Sequence, residues 1–149
     1  MFKNILLPTD GSRFSEETAR RAVSFAKEAG ARITAFYVKK DYPSSYASEG
    51  FMFDSEPPWR FSELAEEEGQ EILGSIEKLC LEAGVKCTKQ IHTHDVIYEA
   101  IIEAAAKNDC DLIFMASHGR KGIGALLLGS ETTKVLTHSK IPVLVYRES

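Results

Sequence analysis

The stretch Ile5-Leu6-Leu7-Pro8-Thr9-Asp10-Gly11-Ser12 decides the fold class, because a short apolar run is followed at once by a polar turn that contains glycine. Consecutive apolar residues are typical of a strand that is buried on both faces of a parallel sheet. The turn leads into residues 16–29, whose apolar positions have helical spacing. Ser12 or Ser15 can cap this helix at its start, and Gly30 can end it.

Strands and helices alternate along the rest of the chain. Further strands are predicted at residues 31–38, 85–92, 111–116 and 141–146. Further helices are predicted at residues 63–83 and 130–137, and another is predicted to start after a cap at Asp95. Such alternation implies right-handed crossovers and a parallel sheet that is covered on both faces. We therefore expect one doubly wound α/β domain over residues 1–149, with five strands flanked by helices, strand 85–92 at an edge and strand 111–116 in the middle.

Residues 39–60 differ in composition from the rest of the chain. The segment is rich in proline and serine but also carries five aromatic residues, which disordered segments usually lack. Loops of this length inside compact domains are usually either functional or disordered. We expect a partly ordered flap that packs on the body of the domain, on a partner or on a ligand, and packing on the body is favoured.

Composition and charge exclude several classes of function. The net charge is −4 and basic residues form only pairs, which argues against a nucleic-acid binder. No apolar run approaches the ~20 residues needed to span a bilayer, and the start does not resemble a signal peptide. We therefore expect a cytoplasmic protein that binds neither nucleic acid nor membrane.

The three cysteines have no spacing typical of a metal site or of a disulfide framework. Cys80, Cys87 and Cys110 are odd in number and contain no CxxC pair. Buried free thiols in a reducing compartment are the favoured interpretation. A redox switch between Cys80 and Cys87 is an alternative that nothing in the sequence supports.

Two polar turns follow strands of the predicted sheet, at the edge where doubly wound proteins bind ligands. One is residues 8–12, and the other runs from Ala116 to Ser130 with several glycines. Each leads into a helix, whose first N–H groups attract anions such as phosphate. The second turn is equally compatible with a flexible loop and a capping Ser130, and it matches neither a Walker A loop nor a GxGxxG turn. Asp10 either contacts a base or ribose or forms an Asx-turn beside Gly11.

The histidines do not indicate catalysis or a metal site. No nucleophile or paired carboxylate accompanies His118, and the spacing of His92 and His94 does not match a metal motif such as HExxH. We expect neither a dedicated enzyme nor a protein metal site. Slow ATP hydrolysis, with Asp10, His118 or Glu131 positioning water, is an alternative.

Residues 5–12, 111–119, 127–130 and 141–145 together resemble the universal stress protein family over essentially the whole chain. The resemblance implies a Rossmann-like fold of the adenine nucleotide alpha hydrolase type and a stress-response or signalling module that binds ATP or AMP. ATP-binding members share Gly-x-x-Gly, nine residues, then Gly-[Ser/Thr]. Gly119 matches the second glycine here, and Gly129-Ser130 follows the nine residues from Arg120 to Leu128.

The family's binding roles carry over to matching positions. By resemblance, Gly119, Gly129 and Ser130 hold the phosphates and Met115 and Ala116 lie by the ribose. By the same resemblance, the adenine pocket is lined by Pro8, Thr9, Asp10 and Val38.

Three residues depart from the family's pattern. Ala116 replaces the first glycine, Asp95 stands where many members have glycine, and the carboxylate of Glu131 follows the phosphate-binding serine. A bridging Mg²⁺ or Mn²⁺ can relieve the repulsion between Glu131 and phosphate. The alternative is a member that binds no nucleotide and acts as a dimeric protein-interaction module.

The last strand implies a homodimer. Family members pair through this strand, and residues 142–146 form an apolar segment that we expect at an exposed edge of the sheet. The expected partners are therefore a second copy of the chain, an adenine nucleotide and an unknown protein.

Overall fold

The computed structural model describes residues 1–11, 15–39, 57–117 and 128–147, in which strands and helices alternate. The strands are β1 (Asn4–Thr9), β2 (Arg32–Lys39), β3 (Cys87–Thr93), β4 (Leu112–Ala116) and β5 (Val143–Tyr146). The helices are α1 (Glu16–Ala29), α2 (Pro58–Ala83), α3 (Ile97–Lys107) and α4 (Ser130–His138). No helix in these residues is long and apolar enough to cross a membrane.

The strands form one parallel sheet in the order β3-β2-β1-β4-β5. This confirms the predicted doubly wound α/β fold, with β3 at one edge and β4 between β1 and β5. The chain adds β2 and β3 on one side of β1 and then returns to add β4 and β5 on the other side. The strand order therefore reverses between β1 and β4, which is where doubly wound folds bind ligands.

The sheet separates two apolar cores. Ile5 and Leu7 of β1 pack with α1 and α2 on one face, whereas Leu6 packs with α3 and α4 on the other. Successive side chains of a strand point to opposite faces, so a continuous apolar run is what a strand covered on both sides requires.

The ends of α1 follow the sequence-based predictions. Ser15 Oγ accepts a hydrogen bond of 3.2 Å from the Thr18 N–H at the start of the helix. Gly30 ends the helix in the left-handed region, at φ 70°. Gly84 ends α2 in the same way, at φ 74°.

Two predicted helix starts are wrong. Asp95 does not cap α3, because Val96 is the N-cap residue and its N–H donates 2.9 Å to Nδ1 of His94. Helix α2 begins at Pro58 rather than at Glu63, since the fixed φ of proline suits a first helical position. Residues 58–60 of the predicted flap therefore belong to a helix. Flap residues 40–56 lie outside the described part of the chain.

Candidate functional site

Strands β1 and β4 are no longer paired at their carboxyl ends. The pairing of β1 with β4 stops at Leu6 and Ile113, whereas its pairing with β2 continues to Thr9 and Tyr37. Pro8 lies just past this point and has no N–H to donate to a neighbouring strand. The sheet therefore opens on the β4 side of β1, at the reversal of strand order.

The turn after β1 borders this opening. Thr9 is buried, Asp10 is half-buried, and the N–H of Gly11 donates 3.2 Å to Thr9 Oγ1. Gly11 has φ 82°, a conformation that L side chains rarely adopt, and a Cβ there would lie 3.0 Å from Glu68 Oε1. The backbone of this turn is thus held close to α2, and Asp10 follows directly after the end of β1.

Val38 and Met115 are core residues at this end of the sheet. Their side chains are 2% and 3% exposed, respectively, and both belong to the core that α3 and α4 cover. Pro8 is half-buried. Val38 and Met115 therefore have little exposed side-chain area at this end of the sheet, and their assignment to the adenine and the ribose stays a prediction.

Hydrogen bonds fix the start of α4 beside the end of β4. The Ala116 carbonyl accepts 3.0 Å from Thr132 Oγ1, and the Ser117 carbonyl accepts 2.8 Å from the Gly129 N–H. The Ser117 N–H donates 2.9 Å to the Tyr146 carbonyl of β5. These bonds hold the end of β4, with Ala116, close to the start of α4, with Gly129.

Helix α4 begins with backbone N–H groups that no side chain among the described residues caps. Gly129 is the N-cap residue, so Ser130 is the first helical residue and not the cap that the sequence suggested. Ser130 is exposed. The first N–H groups of a helix have no acceptor within the helix, which makes this end suitable for phosphate.

Glu131 lies partly buried in the same turn. Its Oε1 is 3.5 Å from Lys134 Nζ, and its Oε2 is buried with no hydrogen-bond donor among the described residues. A buried carboxylate oxygen is stabilised by a donor or a cation. The described chain holds no group of three or more His, Cys, Asp or Glu side chains that could bind a metal by themselves.

Tyr37 and Glu68 were not predicted from the sequence but lie beside the turn after β1. The Tyr37 hydroxyl donates 3.0 Å to Glu68 Oε2. Burial and this bond to Glu68 raise the pKa of Tyr37 well above its usual range. The one sequence signal was Gly69, since a glycine inside a helix often marks close packing, and a Cβ there would lie 2.6 Å from the Tyr37 ring.

Two histidines have structural roles. The His92 ring packs edge-on against Phe36 with centroids 5.5 Å apart, and Nε2 lies 3.1 Å from the Gln90 amide oxygen. His94 accepts the hydrogen bond at the start of α3. His118 and Gly119, which carried the predicted phosphate turn, lie outside the described residues.

A cavity of about 390 Å³ opens at the opposite end of the sheet, where the strands begin. Its charged lining consists of Lys3, Lys27, Arg32 and Lys86. None of the predicted site residues that the structure describes lies in it, so it is separate from the candidate site.

The family profile of the "Universal stress protein family" matches residues 1–147. The chain belongs to the universal stress protein family. It is 39% identical over 153 aligned residues to universal stress protein MJ0531 of Methanocaldococcus jannaschii, a match that covers 99% of this chain and 84% of the relative.

Solved structures of other universal stress proteins share the fold. The structure of MJ0577, also from Methanocaldococcus jannaschii, superimposes with a TM-score of 0.79 at 27% identity and covers 100% of this chain and 98% of its own. A family protein of Arabidopsis thaliana, solved with AMP bound, has a TM-score of 0.64 at 17% identity, with coverage of 99% and 92%. The protein of Archaeoglobus fulgidus, solved with dAMP, has a TM-score of 0.66 at 15% identity, with coverage of 96% of each chain. At these last two identities the likeness shows the fold alone.

Proposed function

We propose that this universal stress protein binds an adenine nucleotide, ATP or AMP, at the carboxyl ends of β1 and β4 and acts as a homodimeric signalling module. One observation carries the proposal: hydrogen bonds from Thr132 and Gly129 to the end of β4 fix the start of α4 at the reversal of strand order. A helix N-terminus held there offers N–H groups to phosphate at the position where this fold binds ligands.

In this proposal the two turns bind different parts of the nucleotide. The phosphates lie at Gly129 and the exposed Ser130, with Gly119 expected beside them, and Met115 and Ala116 lie by the ribose. The adenine side is assigned to Pro8, Thr9, Asp10 and Val38. The AMP and dAMP bound by the Arabidopsis and Archaeoglobus proteins support an adenine nucleotide as the ligand class.

Ala116 is compatible with this arrangement. Asp109 is the one described non-glycine residue with positive φ, so Ala116 does not use a conformation that requires glycine. Its side chain is 9% exposed at the end of β4. A methyl group in this position narrows the space for a ribose but does not strain the backbone.

A divalent cation, Mg²⁺ or Mn²⁺, fits between Glu131 and the phosphates. Hard cations take oxygen ligands and often combine a single carboxylate with phosphate oxygens. The buried Glu131 Oε2, which lacks a hydrogen-bond donor among the described residues, is the oxygen assigned to this contact. The cation would then offset the repulsion between Glu131 and the nucleotide.

The proposed role is binding, without a dedicated catalytic step. Asp10 and Glu131 are the described carboxylates that could orient water. Both are assigned to binding, Asp10 to the adenine side and Glu131 to the cation. Phosphate release that is faster than in a Ser130→Ala protein would contradict this part of the proposal.

The first experiment is to heat-denature freshly purified protein and to separate the released nucleotides by chromatography. A stoichiometric adenine nucleotide is expected. Titration calorimetry with Mg-ATP then compares the wild-type chain with Ser130→Ala, which removes one phosphate contact and should weaken binding by about tenfold. Ser75→Ala, which alters an exposed serine of α2, is the matched control and should bind like the wild type. An empty supernatant together with no heat of binding would reject the proposal.

The second candidate is a dimeric interaction module that binds no nucleotide. Two observations favour it, namely the methyl group of Ala116 and the carboxylate of Glu131 in the first turn of α4. Ala116→Gly separates the two candidates. If the wild-type chain binds no detectable ATP and Ala116→Gly binds it much more tightly, the second candidate is supported. If the wild-type chain binds ATP and the variant binds it equally well, the first candidate is supported.

A further inference from the structure

Cys80 and Cys87 lie in different elements but share one apolar core. Cys80 is in the last turn of α2, and Cys87 is the first residue of β3. Both side chains pack in the core between the sheet and α1 and α2, close enough for each thiol to shift the pKa of the other. All three cysteines are free thiols, so both members of this pair are reduced.

The turn between α2 and β3 brings the two cysteines into the same core. The Cys80 carbonyl accepts 2.8 Å from the Val85 N–H, and Gly84 adopts the left-handed conformation that reverses the chain. Cys87 then pairs with Ile33 at the start of β3. Because this short turn is held at both ends, the thiols remain neighbours in the folded protein.

The two thiols differ in exposure and acidity. Cys80 is 0% exposed, and its interaction with Cys87, together with burial, raises the pKa of Cys80. Cys87 is half-buried on the edge strand, and its interaction with Cys80 lowers the pKa of Cys87. Burial and Glu77 oppose this lowering, whereas Lys89, which is paired with Glu77 at 3.2 Å, favours the Cys87 thiolate. Cys87 is thus the more nucleophilic and more accessible thiol, since the thiolate is the reactive form.

We propose that Cys80 and Cys87 form a peroxide-sensitive dithiol that is oxidised to an intramolecular disulfide. The Cys87 thiolate attacks hydrogen peroxide, which breaks the O–O bond, leaves a sulfenic acid on Cys87 and releases hydroxide, which takes up a proton to become water. The Cys80 sulfur then attacks the Cys87 sulfur. The S–OH bond breaks, and the hydroxyl leaves with the Cys80 proton as a second water. The sum is two thiols and one hydrogen peroxide to one disulfide and two waters.

Cys110 is the matched control within the chain. It is also a buried thiol, but it lies in the other core, beneath α3 and α4. Burial raises the pKa of Cys110, so it should react slowly. The sheet separates it from Cys80 and Cys87, which makes a disulfide with either of them incompatible with the fold.

The experiment treats the full wild-type chain with hydrogen peroxide and measures intact mass and non-reducing peptide maps over time. The mass should fall by two hydrogen atoms, about 2 Da, with one linked pair of peptides that contain Cys80 and Cys87. Cys110→Ser should form the same disulfide at the wild-type rate. In Cys80→Ser, Cys87 should stop at a sulfenic acid that dimedone traps, and Cys87→Ser should slow peroxide-dependent thiol loss by about tenfold.

Several results would overturn the proposal. One is a gain of two oxygen atoms on Cys87, about 32 Da, in place of the disulfide. Another is a disulfide that includes Cys110, and a third is a cross-link between chains on a non-reducing gel. An unchanged mass after exposure that oxidises free cysteine would do the same. The wild-type peptide map needs no variant, so the test stands even if a serine substitution disturbs folding.

Discussion

The hydroxyl of Tyr37, at the end of β2, donates a hydrogen bond of 3.0 Å to Oε2 of Glu68 in α2. The Glu68 carboxylate also lies against Gly11 in the turn after β1. One side chain of α2 therefore contacts both β2 and the turn after β1, which borders the candidate site. Because Tyr37 is 3% exposed, its hydroxyl depends on Glu68 for a hydrogen-bond partner.

Tyr37→Phe should lower the free energy of unfolding by about 1 kcal/mol, since the partner carboxylate is exposed and can be rehydrated. Urea denaturation of the two proteins measures the difference. Tyr98→Phe is the control, because the Tyr98 hydroxyl makes a longer, exposed contact of 3.5 Å with Glu99. The control should change stability by less than about 0.5 kcal/mol. Equal effects of the two substitutions would contradict the prediction.

Gly69→Ala should destabilise the protein even though alanine favours helix. The new Cβ would lie 2.6 Å from Cδ1 of the buried Tyr37 ring, which has no room to move away. We expect a loss of about 1–3 kcal/mol in urea denaturation. Gly74→Ala, in the same helix, meets no atom within 4 Å and should instead stabilise the chain by up to about 1 kcal/mol. A gain in stability from both substitutions would show that the contact with Tyr37 is not tight.

The order of the elements could be predicted from the sequence because each signal was local. The apolar runs of β1 and β4 predicted buried strands, and Gly30 and Gly84 predicted two helix ends. The cap at Asp95 was wrong because the helix begins one residue later, with Val96 as the N-cap residue and the Val96 N–H donated to Nδ1 of His94.

The candidate site could be predicted only in part. The turns after β1 and β4 were predicted because parallel strands place them at one edge of the sheet. The bond between Tyr37 and Glu68 joins residues that are 31 positions apart, and it depends on how α2 is rotated against the sheet. The placement of Cys80 and Cys87 in one core likewise depends on the turn at Gly84, so sequence spacing could not establish it.

Glu131→Gln should make nucleotide binding less dependent on magnesium. The neutral amide removes the repulsion of phosphate and also the proposed ligand of the cation. We expect the variant to bind ATP without magnesium about tenfold more tightly than the wild type does, with little further gain on adding magnesium. Titration calorimetry with ATP, with and without magnesium, tests this.

Glu99→Gln is the control for that experiment, because Glu99 is the acidic residue in the first turn of α3. It should leave both affinities unchanged. If the ATP affinity of Glu131→Gln depends on magnesium as strongly as that of the wild type, Glu131 is not a ligand of the cation.

No other described strand pairs with the edge of β5 that faces away from β4, which allows a specific test of the proposed dimer. The Ile113 N–H donates to the Pro142 carbonyl, and the Ser117 N–H donates to the Tyr146 carbonyl. Backbone groups alternate in direction along a strand, so those of Val143 and Val145 face away from β4.

Val145→Pro therefore removes one donor from the free edge and keeps the bonds to β4, since proline is tolerated on edge strands. If two copies pair through residues 142–146, this variant should be monomeric in light scattering after size-exclusion chromatography, with an unchanged far-ultraviolet circular dichroism spectrum. Val145→Thr retains the N–H and should remain dimeric. A Val145→Pro protein that stays dimeric would exclude pairing through this edge, because the variant lacks a donor that such pairing needs. A wild-type chain that is monomeric at the same concentration would exclude the dimer itself.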